Sequence, residues 1–135
     1  MSLIQWNDRL SVGIVEIDEQ HKQLIKLINE LNDAMKKGNG KNVLDKILDG
    51  LIRYTETHFK LEEKYFDQLG YPDAVNHKRE HLAFTKKVTE FKESFDQGKV
   101  TLSVGIMIFL SNWLQNHIEG VDKKYGAFFN AKGIK

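Results

Sequence analysis

The sequence predicts an all-α protein, an up-down-up-down antiparallel four-helix bundle with an extended N-terminal arm. Three observations predict it. Apolar residues recur at steps of three and four along four separate stretches. Turn-forming breaks separate those stretches at Gly38-Asn39-Gly40, Gly70-Tyr71-Pro72 and Gln97-Gly98-Lys99. The linkers implied are only about three to five residues long, which joins antiparallel neighbours and little else. At 135 residues the chain reads as one domain, 1–135, large enough to bury a core without staples.

Residues 1–17 form the expected arm: Trp6, Leu10, Val12, Ile14 and Ile17 lack a 3.6-residue stripe, so extended chain packed across another element is predicted. Asp18 is read as the N-cap of the first helix. Its inner face is His21, Leu24, Ile28, Leu31 and Met35, and Gly38-Asn39-Gly40 stops it. The second helix is expected from about Lys41 to Leu69, with Leu44, Ile47, Leu48, Leu51, Thr55, His58, Glu62 and Phe66 facing inward. Gly70 ends it, and Pro72 pre-sets the first turn of the third helix, whose stripe is Ala74, His77, His81, Phe84, Val88, Phe91 and Phe95. The fourth, from about Thr101 to Phe129, turns Ile106, Phe109, Leu110, Trp113, His117, Val121 and Tyr125 inward.

Composition excludes several classes of function. Twenty basic and nineteen acidic side chains nearly cancel, and no basic face stands out, so nucleic acid and anionic membrane are poor partners. Without Cys there is no disulfide framework, thiolate metal site or thiol nucleophile. Gln5, Asn7, Asp8 and Arg9 interrupt any signal-peptide core, and the longest apolar run, Val104 to Leu110, is about a third of a membrane span. A cytoplasmic protein without membrane insertion is expected.

The bundle topology makes a demand on the histidines. His58 and Glu62 lie four apart, as do His77 and His81, so each pair projects from one helical face about a turn apart. In an antiparallel bundle the start of helix one lies beside the end of helix two, the start of helix three and the end of helix four. His21, His58, His77, His81 and His117 therefore converge on one end of the core together with Glu62 and Asp122, and the other end is left to Leu, Ile, Met, Val and Phe. Imidazole and carboxylate donors so grouped suit intermediate transition metals. One spacing resists: His117 and Asp122 are five apart, about 140° on a regular helix. Either a single-turn π-bulge lies between them, made cheap by Gly120, or the carboxylate reaches sideways.

The set His21, His58-x-x-x-Glu62, Tyr71-Pro72, His77-x-x-x-His81 and Trp113-Leu114-x-x-His117-Ile118-x-x-x-Asp122-x-x-Tyr125, preceded by Trp6 and Asp18-x-Gln20-His21, closely resembles hemerythrin in its single-domain bacterial form. The resemblance spans essentially the whole chain and matches all seven metal-ligand positions in type and order. It implies a non-haem di-iron site that binds dioxygen reversibly, for O2 carriage, storage or delivery, in a protein that is not an enzyme. Carried over by position, His77, His81 and His117 hold one iron, His21 and His58 the other, and Glu62 and Asp122 bridge them beside an oxo or hydroxo group. The three-histidine iron is then saturated, and the two-histidine iron keeps the open position at which O2 binds. The resemblance also places Leu24, Phe59, Trp113, Leu114 and Ile118 around that position. Tyr125, one turn past Asp122, is read as a donor that helps fix a bridging carboxylate. A monomer is expected, with dioxygen and an O2-consuming enzyme as partners.

Alternatives are O2 sensing and a di-iron oxidase or peroxide-reactive enzyme. A ferritin-like oxidase site uses Glu-x-x-His on two helices. None of the five histidines here has a Glu three residues before it. A structural zinc site wants four ligands, and seven are too many for it.

Overall fold

The computed structural model describes residues 4–38, 40–101 and 103–135, and among these it is helical, with no strand. The first three residues of the arm and Asn39 of the first break lie outside the described residues. Four long helical rods form the bundle: α1 (Val15–Lys36), α2 (Lys41–Leu69), α3 (Ala74–Asp96) and a fourth rod of α4 (Val104–His117), a π-helical segment Ile118–Asp122 and α5 (Lys123–Ala131). No helix among the described residues is long and apolar enough to cross a membrane.

Local chemistry explains the boundaries. Gly70 adopts a left-handed conformation (φ 65°), and its N–H and that of Tyr71 both return to the Phe66 carbonyl, closing α2 without the penalty a Cβ would incur. Ser103 caps α4, its hydroxyl accepting from the Ile106 N–H. The core is built as the periodicity requires, with Ile17, Leu24, Leu31, Leu48, Leu51, Phe66, Met107, Leu110 and Phe129 buried. Met35, Leu44, Ile47, Phe84, Phe91, Ile106, Phe109, Trp113 and Val121 are only half-buried and rim it.

The entry into α1 corrects the sequence reading. The helix begins one turn before Asp18, at Val15, with Ile14 in the capping position and no side-chain cap. Asp18 instead reaches backward: it accepts from the Ser11 hydroxyl at 2.5 Å and from the Val12 N–H at 2.9 Å. Nor is the arm wholly extended, because Asp8–Leu10 forms a 3-10 turn capped by Asn7. Asn29 binds both the N–H and the carbonyl of Ile4, tying the arm to α1. The arm also crosses α5 so closely that a Cβ on Gly126 would run into the Val12 carbonyl oxygen, which makes glycine obligatory there.

The part of the bundle away from the histidines differs from expectation in burying polar side chains, Ser111 on α4 and above all Asn32. Asn32, 2% exposed on α1, is buried among the apolar side chains with its Nδ2 unpaired among the described residues.

Candidate metal centre

Each rod delivers its histidines by register. His21 lies near the start of α1, His58 and Glu62 one turn apart on α2, His77 and His81 one turn apart on α3, and His117 ends α4. Asp122 ends the π segment. A π turn takes an extra residue, so two side chains five apart can share a side. His117 Nε2 and Asp122 Oδ1 are accordingly 3.1 Å apart. Of the two readings left open by that spacing, the π segment is the one observed.

All seven side chains are brought together and none is more than 4% exposed. Asp122 presents Oδ2 to His21 Nε2 at 3.1 Å and Oδ1 to His77 Nε2 at 2.9 Å. Glu62 presents Oε1 to both His58 Nε2 and His81 Nε2, at 3.3 and 3.2 Å. Two donor groups result, one of Glu62, His77, His81, His117 and Asp122, the other of His21, His58, Glu62 and Asp122, each with its donor atoms within 4.8 Å of one another. Both carboxylates belong to both groups, the arrangement that bridging two ions requires.

Whether the donors suit a metal is tested by what they lack. His21 Nε2, Glu62 Oε1 and both Asp122 oxygens are buried and have no partner of hydrogen-bond geometry among the described residues, despite those short separations. Unpaired buried polar atoms are costly. Lone pairs converging on a common point are what a cation satisfies, and mixed imidazole and carboxylate donors suit iron, zinc or manganese in type.

Electrostatics divides the cluster. Burial pushes His58 down to about 4, Glu62 only partly opposing it, so that ring is neutral with a lone pair available. Burial also pushes His117 down, but Asp122 outweighs it and holds the ring up at about 9. Asp122 stays well below the usual carboxylate range because His117, His21 and His77 together overcome the cost of its burial. A proton on His117 must leave when a cation binds. Tyr125, wholly buried, donates its hydroxyl hydrogen to Glu62 Oε2, and burial together with Glu62 raises its own pKa well above the phenol value.

Three residues to which the sequence reading gave no role stand behind the rings, and two of them, Gln20 and Glu80, hold them by hydrogen bonds. Gln20 Oε1 lies 2.6 Å from His58 Nδ1 and Glu80 Oε1 lies 3.2 Å from His117 Nδ1. Glu63 Oε2 stands 3.5 Å from His81 Nδ1, too long for a hydrogen bond. The three share an offset: Gln20 precedes His21, Glu63 follows Glu62 and Glu80 precedes His81, and each stands behind a histidine on the next rod. One residue along a helix is a 100° turn, so the neighbour of an inward side chain faces the adjacent helix. That offset was the available signal.

Beside the cluster is an apolar cavity of about 30 Å³ whose lining includes Leu24, Thr55, Phe59, Trp113 and Leu114. Ile118, expected there, does not line it; it is fully buried in the π segment. Phe59 and Trp113 have a second contact that was not foreseen. Phe59 stacks flat on His81 with centroids 3.8 Å apart, and Trp113 on His117 at 4.5 Å, so both brace rings of the three-histidine group. Thr55 directs its hydroxyl to the Leu51 carbonyl of its own helix, and Glu56 is exposed.

Comparison with known proteins agrees with this geometry. The bacteriohemerythrin of Stenotrophomonas maltophilia is 37% identical over 125 residues, covering 93% of this chain and 80% of that protein. The bacteriohemerythrin of Methylococcus capsulatus is 33% identical over 132 residues, covering 97% of this chain and all of that protein (100%). A crystal structure of wild-type hemerythrin superposes with a TM-score of 0.89 at 33% identity, covering 93% of this chain and 96% of that one. The profile of the hemerythrin HHE cation binding domain matches residues 12–129, and with the buried histidine and carboxylate cluster in its expected place, the chain belongs to the hemerythrin family.

Proposed function

We propose that this chain binds dioxygen reversibly at a non-haem di-iron centre, for carriage, storage or delivery, and is not an enzyme. His77, His81 and His117 would hold one iron, His21 and His58 the other, and Glu62 and Asp122 would bridge them beside an oxo or hydroxo group. The observation that carries the reading is the convergence of five buried histidines and two buried carboxylates, with His21 Nε2, Glu62 Oε1 and both Asp122 oxygens lacking hydrogen-bond partners among the described residues. Such a pair of irons supplies two electrons that O2 can take up and return.

The chain's own residues do the rest. Tyr125 holds Glu62 through Oε2, and Gln20 fixes the ring plane of His58 through Nδ1. Leu24 and Leu114 wall the cavity with hydrocarbon, which admits an apolar diatomic and disfavours water and anions. Of the two threonine hydroxyls on that wall, Thr55 and Thr85, that of Thr55 is committed to its own backbone and is a poor proton source. The supply of O2 to a consuming enzyme from a cytoplasmic monomer is the setting this implies.

An iron assay with visible spectra under air and under nitrogen tests the reading. About two irons per chain, no haem and a band that disappears on deoxygenation and returns with air are expected. A ratio near one, or a spectrum indifferent to O2, would overturn it. Azide sharpens the placement of the open position: it should give a strong charge-transfer band in the oxidised protein that His58→Ala abolishes.

A further inference from the structure

The groups behind the histidines differ in charge. His58 is backed by the neutral amide of Gln20 at 2.6 Å, whereas His117 is backed by the carboxylate of Glu80 at 3.2 Å and His81 has the Glu63 carboxylate at 3.5 Å. The Nδ1 atoms of His21, His77 and His81 have no hydrogen-bond partner among the described residues, so Glu63 acts on His81 through its charge alone. Hydrogen bonding to Nδ1 fixes the tautomer that leaves Nε2 free for an ion, and an anionic acceptor also makes the imidazole a stronger donor. An amide supplies the orientation without the charge. Among the described residues every charged Nδ1 neighbour thus lies on the side of His77, His81 and His117, and the one Nδ1 partner on the other side is neutral.

We propose that Gln20 and Glu80, assisted by Glu63, are positioning residues that make the two halves of the centre unequal, binding the ion of His77, His81 and His117 more tightly and leaving that of His21 and His58 more weakly held. The inequality builds on the ligand count, three imidazoles against two, and it falls on the half that the reading above leaves open to a ligand. A weaker donor set there keeps the ion electron-poor and its remaining position available. Glu80 acts across a partly solvated gap, its side chain 46% exposed, so its charge is screened and its influence is less than a buried carboxylate would exert.

This inference rests on the two-ion reading, and cobalt(II) separates the two because it needs no dioxygen. Protein loaded with cobalt(II) is challenged with excess EDTA and release is followed by the visible absorption of the bound ion. One ion per chain should leave quickly and one slowly. Gln20→Glu should slow the fast phase about tenfold, and Glu80→Gln, which keeps an acceptor but removes the charge, should speed the slow phase about tenfold, the low end of the range for such partners. Glu80→Ala should speed it further, and circular dichroism should show every variant folded. Two bound ions released at parental rates from all variants would overturn the inference alone. So would Glu80→Gln behaving as the parent while Glu80→Ala does not, since orientation without charge would then suffice. Fewer than two cobalt ions per chain in the parent would overturn the two-ion reading and this inference with it.

Discussion

The two ends of the bundle are built on opposite principles. Away from the histidines, Leu31, Leu48, Phe95, Met107 and Leu110 are nearly inaccessible and pack as hydrocarbon, with Asn32 and, beside Leu110, Ser111 as polar intruders. At the histidine end the same depth of burial is imposed on His21, His58, Glu62, His77, His81, His117 and Asp122. Burying apolar surface is favourable whatever else is present; burying unpaired nitrogen and oxygen is favourable only when something satisfies them. The first end stabilises the fold unconditionally and the second conditionally. The bundle is in effect a self-sufficient clamp holding a site that needs an occupant.

Removing metal breaks this comparison most severely, and carries the largest expected effect. An ion present at a thousand times its dissociation constant contributes about 4 kcal/mol to the folded state. The metal-free protein should therefore melt at a lower temperature, and hydrogen exchange should resolve where the loss falls. Amides around 58–62, 77–81 and 117–122 should exchange faster than those around 44–51 and 104–110, whereas the loaded protein should protect both ends alike. Uniform exchange along the rods without metal would show that the ends are not energetically distinct.

The middle-sized effect sharpens the boundary between them, and belongs to Tyr125. Its ring packs with the apolar core, 5.5 Å from Phe66 and 5.1 Å from Phe129, while its hydroxyl donates to Glu62. Tyr125→Phe keeps the ring and removes the donor, leaving a buried carboxylate oxygen short of one hydrogen bond, at a cost of about 2 kcal/mol. Faster release of metal to chelator and an altered visible spectrum are expected. A variant identical to its parent in both would assign Tyr125 to the core alone.

The conditional end was legible in the sequence to the extent that it follows from periodicity. Histidines and carboxylates on the inner stripe of each rod had to meet once the helices were antiparallel, and α2 ends where Gly70 dictates because turn chemistry is local. What depends on the neighbour was not legible. The roles of Gln20 and Glu80 depend on which helix lies alongside, and the stacking of Phe59 and Trp113 on His81 and His117 depends on side-chain direction, which spacing does not convey. Asp18 misled because a residue suited to an N-cap is equally suited to hold an arm folding back from Ser11 and Val12, and only the course of the arm decides between them. At His117 and Asp122 the spacing exposed the conflict without resolving it, since two backbones could meet it and the sequence prefers neither.

The smallest expected change in stability tests the apolar wall where the two ends meet. Leu114, three residues before His117, is 6% exposed and lines the apolar cavity with Leu24. Leu114→Asn changes shape little and replaces two methyl groups with an amide, at a cost of about 1 kcal/mol in a cavity that can admit a water to pair with it. The fold should therefore be retained by circular dichroism, and the metal stoichiometry unchanged. The consequence should appear elsewhere. An amide and the water it recruits would bring a proton source and a competing ligand beside the iron that His21 and His58 are proposed to hold, and air should oxidise the reduced protein about tenfold faster than the parent. Tenfold corresponds to about 1.4 kcal/mol of lost protection, comparable with the change in stability yet read by an independent measurement. Oxidation at the parental rate would remove Leu114 from the wall that matters and shift attention to Leu24, on the facing rod, one turn from His21.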